Sequence, residues 1–440
     1  MIMMSFALVI LVGTLLLMLP ISSADGKSAS FEDALFTATT STCVTGLVVA
    51  PTATVWSTFG HIVILLLIQI GGLGLITVMA AFVVFLNKKI GLSDRILLQD
   101  SFNLNNISGI ASFVKKVVIG TFIVEGIGAL LYMTVFVPEF GLKGIWISVF
   151  NSVSAFCNAG IDIIGENSLC DYATNPVINI TTSLLIIISG IGFIVWWDII
   201  RVTRNIKKQG IKAFKGLTLH SKIALSVTFI LLFSGTAMIF LFEKDNPLTM
   251  GTCTTPEKLM MSFFQSVTTR TAGFAAIPQE YLTDSSAIVC LFLMFIGGSP
   301  VGTAGGIKTV TLAVLFATVI SSIKNRDEVT LFGRNIPKIT CTKAISVTCI
   351  SFAIMSLSTL LLSVYSNGSF LDIIYETVSA TATVGLSRNL TSTFNTACKL
   401  IITANMYLGR VGPISLAVAF KLKNTNTNII KNPTEDISVG

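Results

Sequence analysis

Four short glycine motifs recur along the chain, and their side chains offer almost nothing for acid–base or nucleophilic chemistry. They read Cys43-Val44-Thr45-Gly46, Cys157-Asn158-Ala159-Gly160, Arg270-Thr271-Ala272-Gly273 and Ala382-Thr383-Val384-Gly385. A large apolar residue follows each glycine: Leu47, Ile161, Phe274 and Leu386. What such a stretch offers is main-chain oxygen. Glycine accepts positive φ and lets the backbone approach a bound group, and a set of carbonyls can replace the hydration shell of a dehydrated cation. No Asp or Glu stands immediately before the glycines, as an acidic ring for calcium would require. The ligands available are carbonyls, helped by the Thr45, Thr271 and Thr383 hydroxyls, and they suit a monovalent ion. The expected K+ contacts are at Val44, Thr45, Asn158, Ala159, Thr271, Ala272, Thr383 and Val384.

These motifs have to be held at membrane depth. Long apolar runs cover roughly 4–20, 58–86, 112–137, 177–200, 221–243, 286–323, 342–365 and 397–420. Between the members of each pair lies a shorter segment, at 31–42, 144–156, 257–269 and 370–381. About 20 residues are needed to cross a bilayer as a helix, so the short segments should enter and turn back. Irregular backbone at that depth is tolerated only where it is buried in protein or lines a water-filled path. The expected fold is an all-α membrane protein of four helix–pore loop–helix repeats, eight spans in all, around one pseudo-fourfold pore. The repeats cover 1–87, 112–205, 220–330 and 340–423, with a cytoplasmic tail at 424–440.

The repetition continues into the helix after each loop. It reads Ile70-Gly71-Gly72-Leu73-Gly74, Ile188-Ser189-Gly190-Ile191-Gly192, Ile296-Gly297-Gly298-Ser299-Pro300 and Leu408-Gly409-Arg410-Val411-Gly412. From loop glycine to the third residue of this motif the offsets are 26, 30, 25 and 25. One such motif is weak evidence, whereas four in order set the architecture. Close helix packing is the better explanation for this second glycine set. The run 286–323 would reach ~57 Å as one helix. Its middle, Gly297-Gly298-Ser299-Pro300-Val301-Gly302-Thr303-Ala304-Gly305-Gly306, is poor helix sequence. A break is expected there, forming a polar loop that gates the path. Arg410 takes the place of Gly72, Gly190 and Gly298 and is expected to hold the loop closed, with Lys308 as a second candidate. Arg270 is expected to form a scaffold ion pair with Glu376 or Asp372.

Composition agrees. The chain is 52% hydrophobic and 12% charged, about half the charge of a soluble domain, and its mean hydropathy is +0.83. The net charge of +7 does not indicate nucleic acid, because its basic residues sit between apolar runs. Twenty of 29 Lys and Arg fall in alternate short segments and the tail, which should face the cytoplasm of a multi-pass cell-membrane protein, with both termini inside. The first apolar run is expected to be a retained helix rather than a signal peptide. Eight scattered cysteines show no metal spacing; Cys170 and Cys253 could pair, but unpaired thiols are the simpler reading. His61 and His220 are expected to be interfacial residues without a chemical role. The alternative of another class, an enzyme such as a subunit of an ATP-driven pump, is not expected. Gly302-Thr303-Ala304-Gly305-Gly306-Ile307-Lys308-Thr309 lacks the glycine that a phosphate loop places before its lysine, so no nucleotide site is expected in this chain.

On these residues the chain resembles the Trk/Ktr/HKT superfamily of potassium transporters over nearly its whole length, and within it the membrane subunits of bacterial Ktr systems. The most specific matches are Asp33-Ala34-Leu35-Phe36-Thr37-Ala38 with Val44-Thr45-Gly46-Leu47, and Ser154-Ala155-Phe156-Cys157-Asn158-Ala159-Gly160. Further matches are Arg270-Thr271-Ala272-Gly273-Phe274, Thr383-Val384-Gly385-Leu386 and Gly409-Arg410-Val411-Gly412-Pro413. The resemblance implies channel-like K+ uptake, a filter glycine in each repeat, a gate loop at Gly297–Gly306 and a gating Arg410. It also implies a homodimer in the lipid bilayer, a cytosolic nucleotide-binding RCK ring (KtrA-like) and stimulation by Na+. A sodium-selective or sodium-coupled carrier of the same fold is the alternative. Cys43, Ala382 and Pro300-Val301 depart from the family pattern and bear on selectivity and gating.

Overall fold

The computed structural model describes residues 2–74, 77–78, 80, 110–204 and 210–412. The ends of the apolar runs 58–86 and 397–420, much of the first basic segment and the tail 424–440 lie outside the described residues. Among those described, helices Ile110–Phe140, Leu219–Glu243 and Lys338–Tyr365 are each long and apolar enough to cross a membrane. Pro176–Gly190 and Phe193–Thr203 make a fourth if they count as one span, bent by 94°. Shorter apolar helices include Thr58–Leu73, Asp284–Phe295 and Thr309–Ile323. Leu130, Phe229, Phe233, Phe352 and Leu360 are all exposed. Such an apolar exterior belongs to a membrane protein, whose solvent is lipid.

Inside this wall lie four shorter helices: Phe31–Cys43, Leu142–Cys157, Thr255–Thr268 and Phe370–Ala382. Three start on side-chain caps. Ser30 Oγ accepts from Asp33 N, Ser369 Oγ from Asp372 N, and Thr254 with Glu257 forms a capping box. A capping side chain satisfies an orphan N–H of the first turn. The other ends stop where the backbone turns left-handed, at Val44, Asn158 and Thr383, with Thr271 the counterpart in the third loop. Each short helix packs against the α-helix that precedes it in the chain, Ile2–Leu17, Ile110–Phe140, Leu219–Glu243 and Lys338–Tyr365 in turn, and fully buried Phe36, Phe150, Phe264 and Tyr375 fill the space behind them.

Arg388 joins two distant segments of the chain at the loop ends. Its Nε donates to Asp372 at 2.7 Å, and its other nitrogens reach the carbonyls of Gln279, Glu280 and Leu282 at 3.2–3.4 Å. A charge-assisted bond of this partly buried kind contributes about 1.5–3 kcal/mol. Arg388→Gln is therefore expected to lower the melting temperature of the detergent-solubilised protein by several degrees in a thermal-shift measurement. An unchanged midpoint would mean the clamp is redundant.

Two helices are broken, and the sequence discloses only one of the breaks. The helix begun at Asp284 stops at Phe295, and helix resumes at Thr309. Between them the chain turns on itself: Gly297 N donates to Ile307 O at 2.9 Å and Ile307 N to Phe295 O at 3.2 Å. The run 177–200, read from sequence as a single straight span, is in fact broken at Ile191-Gly192. The groups freed there are satisfied by the first break. Ser299 N donates to Gly190 O at 2.8 Å, and Phe193 N to Val301 O at 2.9 Å. The sequence also gave no sign of the antiparallel hairpin Val329–Leu331 with Arg334–Ile336. Its turn, Phe332-Gly333, has positive φ at both residues, the geometry that suits a two-residue hairpin.

Candidate ion-binding site

The four loop glycines meet in a closed ring. A Cβ built on Gly46 would lie 2.5 Å from Ala159 O; one on Gly160 would lie 2.5 Å from Ala272 O. On Gly273 it would lie 2.5 Å from Val384 O, and on Gly385 it would lie 2.2 Å from Thr45 O. Each glycine thus abuts the residue before the next loop's glycine, and the fourth returns to the first. All four have positive φ, between +62° and +97°. Any side chain here would be strained and would also drive neighbouring backbones apart. The carbonyl-bearing residues Thr45, Ala159, Ala272 and Val384 are therefore held around one centre.

Hydroxyl groups pin the turns from behind. Gly46 N donates to Thr40 Oγ1 at 3.0 Å, Ile161 N to Ser154 Oγ at 3.1 Å and Gly385 N to Ser379 Oγ at 3.0 Å. In the third loop Thr268 Oγ1 donates to Phe274 O at 2.7 Å. The sequence reading missed these residues. Their signal is a Ser or Thr six positions before the loop glycine in three of the four loops. Thr45 Oγ1 and Thr383 Oγ1 are buried without a hydrogen-bond partner, so both oxygens are left free for an ion or water.

The packing explanation for the second glycine set holds for part of it. A Cβ on Gly71 would lie 1.9 Å from Thr42 O, one on Gly72 2.5 Å from Cys157 Sγ, and one on Gly409 2.2 Å from Thr381 O. The motif's last glycine does something else. Gly74, Gly192 and Gly412 share one backbone conformation, φ 83–91° and ψ 131–144°, and each ends its helix or marks the break.

On one side of the ring an open cavity of about 530 Å³ reaches all four glycines. Asp162, Glu166, Asp171 and Glu280 line it, and no Lys or Arg does among the described residues. The other side is covered by the broken-helix loop. Arg410 donates to Thr303 O at 2.7 Å and to Gly71 O at 2.5 Å. Lys308 Nζ donates to Ala304 O at 2.5 Å and Gly305 O at 3.4 Å. Three consecutive loop carbonyls are thus taken by two basic side chains. The loop touches the ring too: Gly305 N donates to Thr271 Oγ1 at 3.1 Å, and a Cβ on Gly305 would clash with Thr383 Oγ1.

The ion pair expected for Arg270 is absent. Asp372 is engaged by Arg388, and Glu376 accepts from Ser387 and Thr391. Those two carboxylates instead secure the chain leaving the fourth loop. Arg270 is buried and donates to Thr228 Oγ1 at 3.3 Å. A buried carboxylate that sequence reading missed, Glu125, lies behind the second loop. It accepts from Gln69 Nε2 at 3.2 Å and lies 4.0 Å from Cys157 Sγ. An acidic residue inside an apolar run is its only sequence signal. All eight cysteines are free, so Cys170 and Cys253 do not pair. His61 is buried, with Nε2 3.0 Å from Thr52 O.

The chain matches the family model of TrkH, described as a cation transport protein, over residues 1–431. It is 39% identical to the potassium/sodium uptake protein NtpJ of Enterococcus hirae, over 99% of this chain and 95% of that one. It is 38% identical to the Ktr system potassium uptake protein B of Bacillus subtilis, over the same shares. The fold is similar to the potassium transporter TrkH from Vibrio parahaemolyticus, with a TM-score of 0.74 at 16% identity, covering 95% of this chain and 85% of that one. With a family model spanning nearly its whole length and full-length relatives above 30% identity, the chain belongs to the TrkH family of cation transport proteins, in its Ktr branch.

Proposed function

We propose that the chain is a channel-like uptake subunit that conducts K+ down its electrochemical gradient. The observation that carries this reading is the closed ring of four positive-φ glycines. It holds Thr45, Ala159, Ala272 and Val384 around one centre, with unpartnered Thr45 and Thr383 hydroxyls beside them. Carbonyl groups so placed replace water around a monovalent cation. The short helices end at the ring, so their partly negative C-termini add to the attraction. Four carboxylates on the open side raise the local cation concentration. On this reading there are eight spans in four repeats, and the membrane potential supplies about 2.3 kcal/mol per charge per 100 mV.

The loop at 297–306 is the gate of this scheme. Its carbonyls would be natural ligands for a passing cation, but Arg410 and Lys308 occupy three in succession. The guanidinium of Arg410 thereby puts a fixed positive charge against the loop on the ion's route. A second copy of the chain and a cytosolic nucleotide-binding ring complete the proposal; the Ktr name of the Bacillus subtilis relative supports a multi-part uptake system.

The test is ion-replacement flux in vesicles reconstituted with the purified chain. Saturable rubidium uptake that sodium and lithium fail to suppress supports a potassium filter. The Enterococcus hirae relative is named for both potassium and sodium. Sodium uptake exceeding rubidium would favour the sodium reading, and no cation flux in any condition would end both.

A further inference from the structure

Asn158 is the one carboxamide among the four left-handed residues of the ring, the others being Val44, Thr271 and Thr383. Its side chain faces the broken-helix loop. Asn158 Nδ2 donates to Thr303 Oγ1 at 3.2 Å, and Thr303 Oγ1 donates to Phe156 O at 3.2 Å. Asn158 Oδ1 accepts from Ser189 Oγ at 3.3 Å, beside the second helix break. Asn158, Ser189 and Thr303 are all buried, the first at 1% and the others at 0% exposure. The carbonyl of the same Thr303 is held by Arg410 at 2.7 Å. One loop residue thus bonds the second filter turn by its side chain and the gating arginine by its main chain.

We infer that Asn158 is a positioning residue for ion discrimination: through Thr303 it ties the second filter turn to the gate loop, so that selectivity depends on whether the loop is seated. The inference rests on the filter and gate reading above. The physical argument is the accounting of buried polar groups. A buried carboxamide that loses its partner must rotate or take up water. Asn158 lies immediately before Ala159, whose carbonyl abuts Gly46. Rotation there moves a ligand of the ring. The other turns have weaker ties: Thr271 Oγ1 accepts a single bond from Gly305 N, and Thr383 Oγ1 has no partner. The second turn is therefore where a departing loop changes the filter most.

The test measures the ratio of rubidium to sodium flux in vesicles holding the full chain. Thr303→Val removes the hydroxyl and keeps the shape. It is expected to shift the ratio about fivefold or more, the size of an ordinary coupling between contacting groups. Thr303→Ser, which restores the hydroxyl, is expected to return the ratio to wild type. Asn158→Gly tolerates the left-handed turn and should shift the ratio in the same direction. Combined with Thr303→Val it should add nothing further. A Thr303→Val ratio within twofold of wild type, or two shifts that multiply independently, would overturn the inference. Wild-type vesicles without rubidium flux would instead overturn the filter reading beneath it, and the two failures are told apart by the wild-type trace alone.

Discussion

Rubidium uptake by Gly160→Ala vesicles is expected to fall about 100-fold or more below wild type. Gly160 has φ +62°, and a Cβ there would lie 2.5 Å from Ala272 O, 2.7 Å from Gly273 Cα and 2.8 Å from Gly273 C. The left-handed conformation alone costs a non-glycine residue about 1–2 kcal/mol. The close contacts are worse, because all three are with backbone atoms of the third loop and no side chain can rotate away. The second and third loops must part, and a ring built from four abutting turns loses its geometry at both neighbours. A loss of about 3 kcal/mol in ion binding at the ring corresponds to roughly 100-fold. Gly126→Ala is the control. Nothing lies within 4 Å of a Cβ at Gly126, which sits inside the helix Ile110–Phe140. Unchanged uptake is expected there, with a slightly higher melting temperature, since alanine favours helix over glycine by about 1 kcal/mol. Wild-type uptake by Gly160→Ala would mean that the ring is not the conduction path.

Arg410→Gln is expected to act in the opposite direction and raise resting rubidium flux about 30-fold or more. Two effects combine. The guanidinium bonds to Thr303 O and Gly71 O disappear, so the loop loses its tie to the helices Thr58–Leu73 and Thr396–Val411. The substitution also removes a fixed charge. At a separation of about 8 Å and an effective dielectric of about 20, a passing monovalent cation is opposed by roughly 2 kcal/mol, which is about 30-fold. The mirror experiment is Arg410→Lys. Lysine keeps the charge but not the planar fork that spans two carbonyls, so it should restore only the electrostatic part. Equal flux in wild type and Arg410→Gln would remove Arg410 from the proposed gate.

The short helices and the broken helix were legible for local reasons. A segment of 12 or 13 apolar residues ahead of a glycine cannot cross a bilayer, and Gly297–Gly306 cannot propagate a helix. Neither statement requires knowledge of a distant residue. The break at Ile191-Gly192 was not legible, because Pro176–Thr203 is apolar enough to be a straight span. It bends because Ser299 and Val301, over a hundred residues away, supply the hydrogen bonds that an interrupted helix lacks. Arg270 failed for a related reason. Sequence can place a cation and two carboxylates in one membrane region, but it cannot say that Arg388 has already engaged Asp372.

Composition and spacing alone thus determined a membrane protein with four recurring glycine turns. Those features depend on chain length against bilayer thickness and on which residues accept a left-handed backbone, both readable within ten or twenty positions. Only the tertiary structure decided which carbonyl each glycine faces, which hydroxyl pins each turn, and that Arg410, Lys308 and Asn158 converge on the single loop segment Thr303–Gly305. Partner choice among polar groups in a low-dielectric interior is set by distance and by competition, and a linear sequence contains neither.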